Sequence, residues 1–122
     1  MRVVNKTRNK VLSEDAGVRE SFLGRLTGLM MQDRKDIVIK VPWEGILEAS
    51  IHMMFMRYGI SVIWADSDMK VVDVEKNARP FNPFKPRTWR TYKPCGPAKY
   101  VVELGKGRLG GTRRGDVIEF TH

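Results

Sequence analysis

Along most of the chain apolar residues recur at short spacings, a pattern that predicts strands, whose successive side chains point to opposite faces. Residues 2–12 alternate weakly and read as one edge strand, whose basic residues discourage pairing with other molecules. Residues 36–41 alternate Ile37, Ile39 and Val41 against Val38 and Lys40, and Pro42 marks the end of that strand. A meander follows over 50–57, 60–65 and 70–75, rich in β-branched and large apolar residues and divided by Tyr58-Gly59 and by Asp66-Ser67-Asp68-Met69. In its first run His52, Met54 and Met56 share one face, with Ile51, Met53, Phe55 and Arg57 on the other. Apolar groups on both sides imply a sheet covered on both faces. Residues 100–104 and 117–120 read as closing strands around a glycine-rich segment.

Two stretches break this pattern. Phe22, Leu23, Leu26, Leu29 and Met30 fall three and four residues apart, which predicts one face of a short helix. Ser21 can cap its start, while Gly24 and Gly28 weaken it. Further along, five of the six prolines lie between Pro80 and Pro97. Proline removes a ladder donor and fixes φ, so residues 78–98 read as a long loop, neither central strand nor helix. Its aromatics, Phe81, Phe84, Trp89 and Tyr92, supply apolar area to pin it to the body. The expected fold is mainly β: a single compact β-sandwich or barrel-like domain over 1–122, with one or two short helices.

Composition narrows the setting. A chain of 122 residues can bury a core without staples. The single cysteine, Cys95, excludes an internal disulfide and fits a reducing, cytoplasmic address. Residues 1–12 lack the apolar core and cleavage site of a signal peptide, and no apolar run approaches the roughly 18 residues of a membrane span. Net charge is +8, yet residues 76–114 carry eleven Lys or Arg against one acid, Glu103. That third of the chain holds +10 and the rest −2. Such a one-signed stretch attracts anions, although a solvated basic face has the same composition.

Tests for specific chemistry mostly fail. Residues 105–111 match the G-x-G-x-x-G spacing, but the chain lacks the following helix, strand and acid that a dinucleotide site requires. The glycines read instead as turns between the last strands, with the weaker alternative of an anion cradle beside Lys106, Arg108, Arg113 and Arg114. One cysteine and two histidines do not make a zinc site, and Asp66 and Asp68 suit a hairpin turn better than a calcium loop. No catalytic residues, metal or cofactor are assigned. His52 reads as a hydrogen-bonded core histidine or as part of a recognition site. The densest positive signal is Trp89, Arg90, Tyr92 and Lys93, because rings stack on bases while cations neutralise phosphates.

Three blocks carry a resemblance. They are Ser21-Phe22-Leu23-Gly24-Arg25-Leu26-Thr27-Gly28-Leu29-Met30-Met31, the run from Ile51-His52-Met53 to Trp64-Ala65-Asp66, and Pro97-Ala98-Lys99-Tyr100-Val101-Val102-Glu103-Leu104. Read in order, they resemble the signature blocks of the domain-of-unknown-function family numbered 192, and the middle block is similar to archaeal members. The resemblance implies a compact β-rich domain with helical insertions and no established activity. Where members of that family usually carry Pro-Ile/Leu-Asp, this chain has Gly59-Ile60-Ser61, so a hydroxyl replaces an acid. The expected function is non-catalytic binding of an anionic partner, RNA or single-stranded DNA first and a phosphorylated small molecule second. Its expected ligand-binding residues are Arg25, His52, Arg57, Trp89, Arg90, Tyr92 and Lys93. The alternatives are a small enzyme with a pocket near His52 and Ser61, and a scaffold for protein partners.

Overall fold

A computed structural model of the chain describes residues 1–19, 36–45, 51–52, 60–78, 91–105 and 108–121. Among them run the strands β1 (Arg2–Asn5), β2 (Lys10–Ser13), β3 (Gly17–Arg19), β4 (Asp36–Gly45), β5 (Ile51–His52), β6 (Ile60–Ala65), β7 (Val71–Ala78), β8 (Thr91–Tyr92), β9 (Ala98–Leu104) and β10 (Ile118–Thr121). None of the described residues is helical, and the helix expected around 21–31 lies outside them. The fold is mainly β, as the alternation predicts, and it is built from sheets with no closed barrel among the described residues.

The larger sheet has the order β3-β4-β9-β6-β7, and a smaller one has the order β10-β1-β2. In the larger sheet Val38, Val102, Ile63 and Val74 stand in one cross-strand row. That face meets Val3, Leu12 and Ile118 of the smaller sheet in one buried cluster. Tyr100 and Phe120 join the two sheets edge to face, with ring centroids 5.4 Å apart. Ser13 adds a polar tie, its Oγ donating to Asp36 Oδ2 at 2.6 Å. The opposite face carries a second cluster around Ile37, Ile39, Val62, Trp64 and Val101. Burial on both faces explains why β6 and β9 are almost continuously apolar.

Several expected boundaries move. The edge strand over 2–12 is a hairpin: residues 6–9 form a turn, Asn9 takes φ 54°, and β1 pairs with β2. Asparagine is one of the few side chains that enters that region readily. β4 continues through Pro42 to Gly45, but its regular pairing with β9 is interrupted between Lys40 and Gly45, where proline has no N–H to give. The meander holds for β6 and β7, which pair as a hairpin. β5 does not join them. It pairs with β8, so the stretch expected to be loop over 78–98 contains a short strand.

Candidate functional site

Of the residues expected at a binding site, Arg25, Arg57, Trp89 and Arg90 lie outside the described residues. The strands that carry His52 and Tyr92 are paired, although the two residues are not cross-strand partners. In the β5–β8 ribbon Ile51 stands opposite Tyr92 and His52 opposite Thr91, so the histidine strand and the aromatic, basic segment form one antiparallel unit. Lys93 follows directly and is exposed. The chain then passes Pro94, which is buried, and reaches the edge strand β7. There the Cys95 amide donates to Asp73 Oδ2 at 3.0 Å, and its thiol donates to the Val72 carbonyl oxygen at 3.2 Å. Asp73 is the cross-strand partner of Trp64, which places this anchor on the sheet face away from the smaller sheet. Cys95 therefore fastens the segment down.

Other candidates turn out to be structural. The Ser61 hydroxyl donates to the Lys76 carbonyl oxygen at 2.8 Å, where the β6–β7 register slips between Ile60 and Val62. Asp66 builds the expected turn: its Oδ1 accepts the amides of Asp68 at 2.9 Å and Lys70 at 3.0 Å, and Met69 takes φ 66°. Gly110, Gly111 and Gly115 all have positive φ, so that part of the glycine-rich segment is turns as expected. No group of three or more His, Cys, Asp or Glu among the described residues is placed to hold a metal ion.

Two features escaped the sequence reading. The first is Glu103, fully buried in the central strand β9 between Ile37 and Val62. Strict alternation puts Glu103 on the same face as Val101, and that is the one signal that could have marked it as buried. The second is a polar network that joins the two ends of the chain. Asn5 Nδ2 donates to Thr112 Oγ1 at 2.8 Å and to Asp116 Oδ2 at 3.0 Å. Arg8 Nε and the Arg113 amide donate to the same carboxylate oxygen, at 2.6 and 3.2 Å. The Asn5 bond, then those of Arg8 and Arg113, hold the Asp116 carboxyl below its ordinary value against the opposing effect of burial.

This network leaves cations over. Arg2, Lys6 and Arg8 pair with Glu14, Glu119 and Asp116. Lys10, Lys93, Arg108, Arg113 and Arg114 are exposed and form no ion pair with the described residues.

Comparison with known proteins fixes the family. The model of the DUF192 family, described as Uncharacterized ACR, matches residues 3–120. The chain belongs to the DUF192 family. Among curated relatives, a UPF0127 protein of Thermococcus sibiricus is 40% identical over 107 residues, covering 86% of this chain and 64% of its own length. The chain thus spans less than two thirds of that relative. A UPF0127 protein of Thermococcus gammatolerans is 34% identical over 122 residues, covering 97% of this chain and 74% of the relative. The DUF192 fold is also similar to a crystal structure of a protein of unknown function from Novosphingobium aromaticivorans, with a TM-score of 0.76 at 20% identity over 98% of this chain and 84% of that one.

Proposed function

We propose that this DUF192 protein is a non-catalytic binding module for an anionic partner, with RNA or single-stranded DNA as the ligand. The reading rests on one observation: β5 pairs with β8, so His52 and Tyr92 lie on adjacent strands and Lys93 leaves the same ribbon exposed. Trp89 and Arg90 precede β8 in sequence, which concentrates rings and cations at one stretch of chain. Bases stack on rings with little sequence preference while cations answer the phosphates, and single-strand binding on β folds rests on this combination. Arg25 and Arg57, which lie outside the described residues, complete the proposed set of ligand contacts. The single cysteine fits a cytoplasmic protein. The enzyme alternative loses ground because the Ser61 hydroxyl is engaged by the Lys76 carbonyl.

Fluorescence anisotropy with labelled single-stranded RNA and DNA tests the reading through the variants Trp89→Ala and Tyr92→Ala. A stacking ring contributes about 1–3 kcal/mol per base, so each variant is expected to weaken binding at least several-fold. Unchanged affinity in both variants would overturn the assignment to this ribbon. Saturable binding of a phosphorylated nucleotide with none of an oligonucleotide would move the ligand to the small-molecule class.

A further inference from the structure

The cations of the C-terminal third and those of the N-terminal hairpin are far apart in sequence, yet the fold threads them along one path. Two basic segments converge on adjacent residues of β7. The Cys95 thiol donates to the Val72 carbonyl oxygen at 3.2 Å, and the Gly115 amide donates to the Val71 carbonyl oxygen at 2.9 Å. Consecutive Cα atoms are about 3.8 Å apart, so Lys93, two residues before Cys95, and Arg114, one before Gly115, approach the same short length of strand from two directions. Beyond Arg113 the path continues onto the hairpin. Residues 108–111 run beside β2: the Arg108 amide donates to the Leu12 carbonyl oxygen at 3.1 Å, a Cβ added at Gly110 would stand 3.2 Å from Lys10 Cβ, and one added at Gly111 would stand 3.7 Å from Arg8 Cδ.

We propose that Lys93, Arg114, Arg113, Lys10 and Arg108 form a continuous cationic track that binds the sugar-phosphate backbone of a single-stranded nucleic acid. This deepens the reading above and rests on it. All five residues are exposed. Of the acids near the path, Asp116 is bound by Asn5, Arg8 and the Arg113 amide and Glu119 pairs with Lys6, while Asp73 accepts the amides of Cys95 and Val74 and keeps its charge. Lys70 is left out, because Asp66 and Asp68 stand beside it in the 66–69 turn. The backbone positions that carry these cations run from β7 across the 113–116 turn to the segment beside β2. An extended polyanion matches that succession, with one phosphate meeting each cation in turn, and the stacking ribbon lies at its Lys93 end.

The test compares two double variants with equal loss of charge. Arg113→Gln/Arg114→Gln interrupts the track, and Lys40→Gln/Lys76→Gln removes two exposed cations that the track does not include. Each is titrated by anisotropy against labelled oligo-uridine and oligo-thymidine over a range of salt, after thermal melting has verified that it folds. Each phosphate contact contributes about 0.7 to the slope of log affinity against log salt on single strands. The track variant is expected to lose about 1.4 from that slope and, at about 50 mM salt, on the order of tenfold to a hundredfold in affinity. The control variant is expected to keep its slope within about 0.3 of wild type. Equal losses in both variants, or no loss in either while wild type binds, would overturn the track and leave the ribbon reading standing. Failure of wild type to bind would overturn both. Weakening by the track variant together with wild-type affinity in Trp89→Ala and Tyr92→Ala would support the track and sink the ribbon.

Discussion

Asn5 and Asp116, 111 positions apart in the chain, meet side chain to side chain at 3.0 Å inside a buried polar network. The bond ties the β1–β2 hairpin to the turn that carries Arg113 and Arg114. The Arg8–Asp116 ion pair and the bond from the Lys6 amide to the Val117 carbonyl oxygen share that role, so segments far apart in sequence are held together by tertiary contacts. Asn5→Ala leaves Asp116 and Thr112 short of a donor in a covered site, at a cost of about 1–3 kcal/mol. Urea unfolding at neutral pH is expected to show a loss in this range, and a loss below about 0.5 kcal/mol would mean that water replaces the amide without penalty.

The same carboxylate makes part of the stability depend on acid. Because the folded Asp116 pKa is lowered from 3.8, its contribution is fully present above the unfolded value and is lost as pH falls through the lower folded value. Asp116→Asn removes that linkage. The variant is expected to be less stable than wild type at neutral pH, with the gap narrowing as pH drops below about 4. Parallel unfolding curves for the two proteins across that range would contradict the account.

Glycine is required at some turns of the C-terminal segment and not at others. At Gly110 φ is +59°, and an added Cβ would stand 3.1 Å from Leu12 Cδ2 and 3.2 Å from Lys10 Cβ. Gly110→Ala is therefore expected to cost about 1–2 kcal/mol from the backbone alone, with crowding in addition. At Gly96 a Cβ would meet nothing within 4 Å, and Gly96→Ala should stay within about 0.5 kcal/mol of wild type. Thermal melts of the pair decide the point, and equal shifts would count against the described path of residues 108–111 beside β2.

The Ser61 hydroxyl donates to the Lys76 carbonyl oxygen at 2.8 Å. Ser61→Ala is expected to cost about 0.5–1.5 kcal/mol, the net contribution of one hydrogen bond, and to leave oligonucleotide affinity unchanged. A variant of wild-type stability that no longer binds would return Ser61 to the functional site.

Much of the fold is legible in the sequence because strand alternation is a local property. The span of β6 at Ile60–Ala65 follows from its β-branched run and its flanking turns, and the Asp66 turn from its acids. Pairing is not local. Nothing near Ile51 indicates that its partner is Tyr92, 41 residues on, because a short apolar strand fits several neighbours equally well. The hairpin within residues 2–12 was hidden by charges at both its strand and turn positions, with Asn9 as its only clear turn residue. The candidate surface was half visible. Composition marks the basic residues after Lys76, but Lys10 joins them only through the 108–111 segment.

The most direct test of the central claim is the salt dependence of oligonucleotide binding by the unaltered chain. A labelled single strand of about 20 nucleotides exceeds the usual site size on a β module of this kind, and anisotropy gives its affinity between about 50 and 200 mM salt. With five cations engaged, the slope of log affinity against log salt is expected to be about −3.5, a loss on the order of a hundredfold across that range. Binding that is absent at about 50 mM, or present with a slope near zero, would contradict the claim.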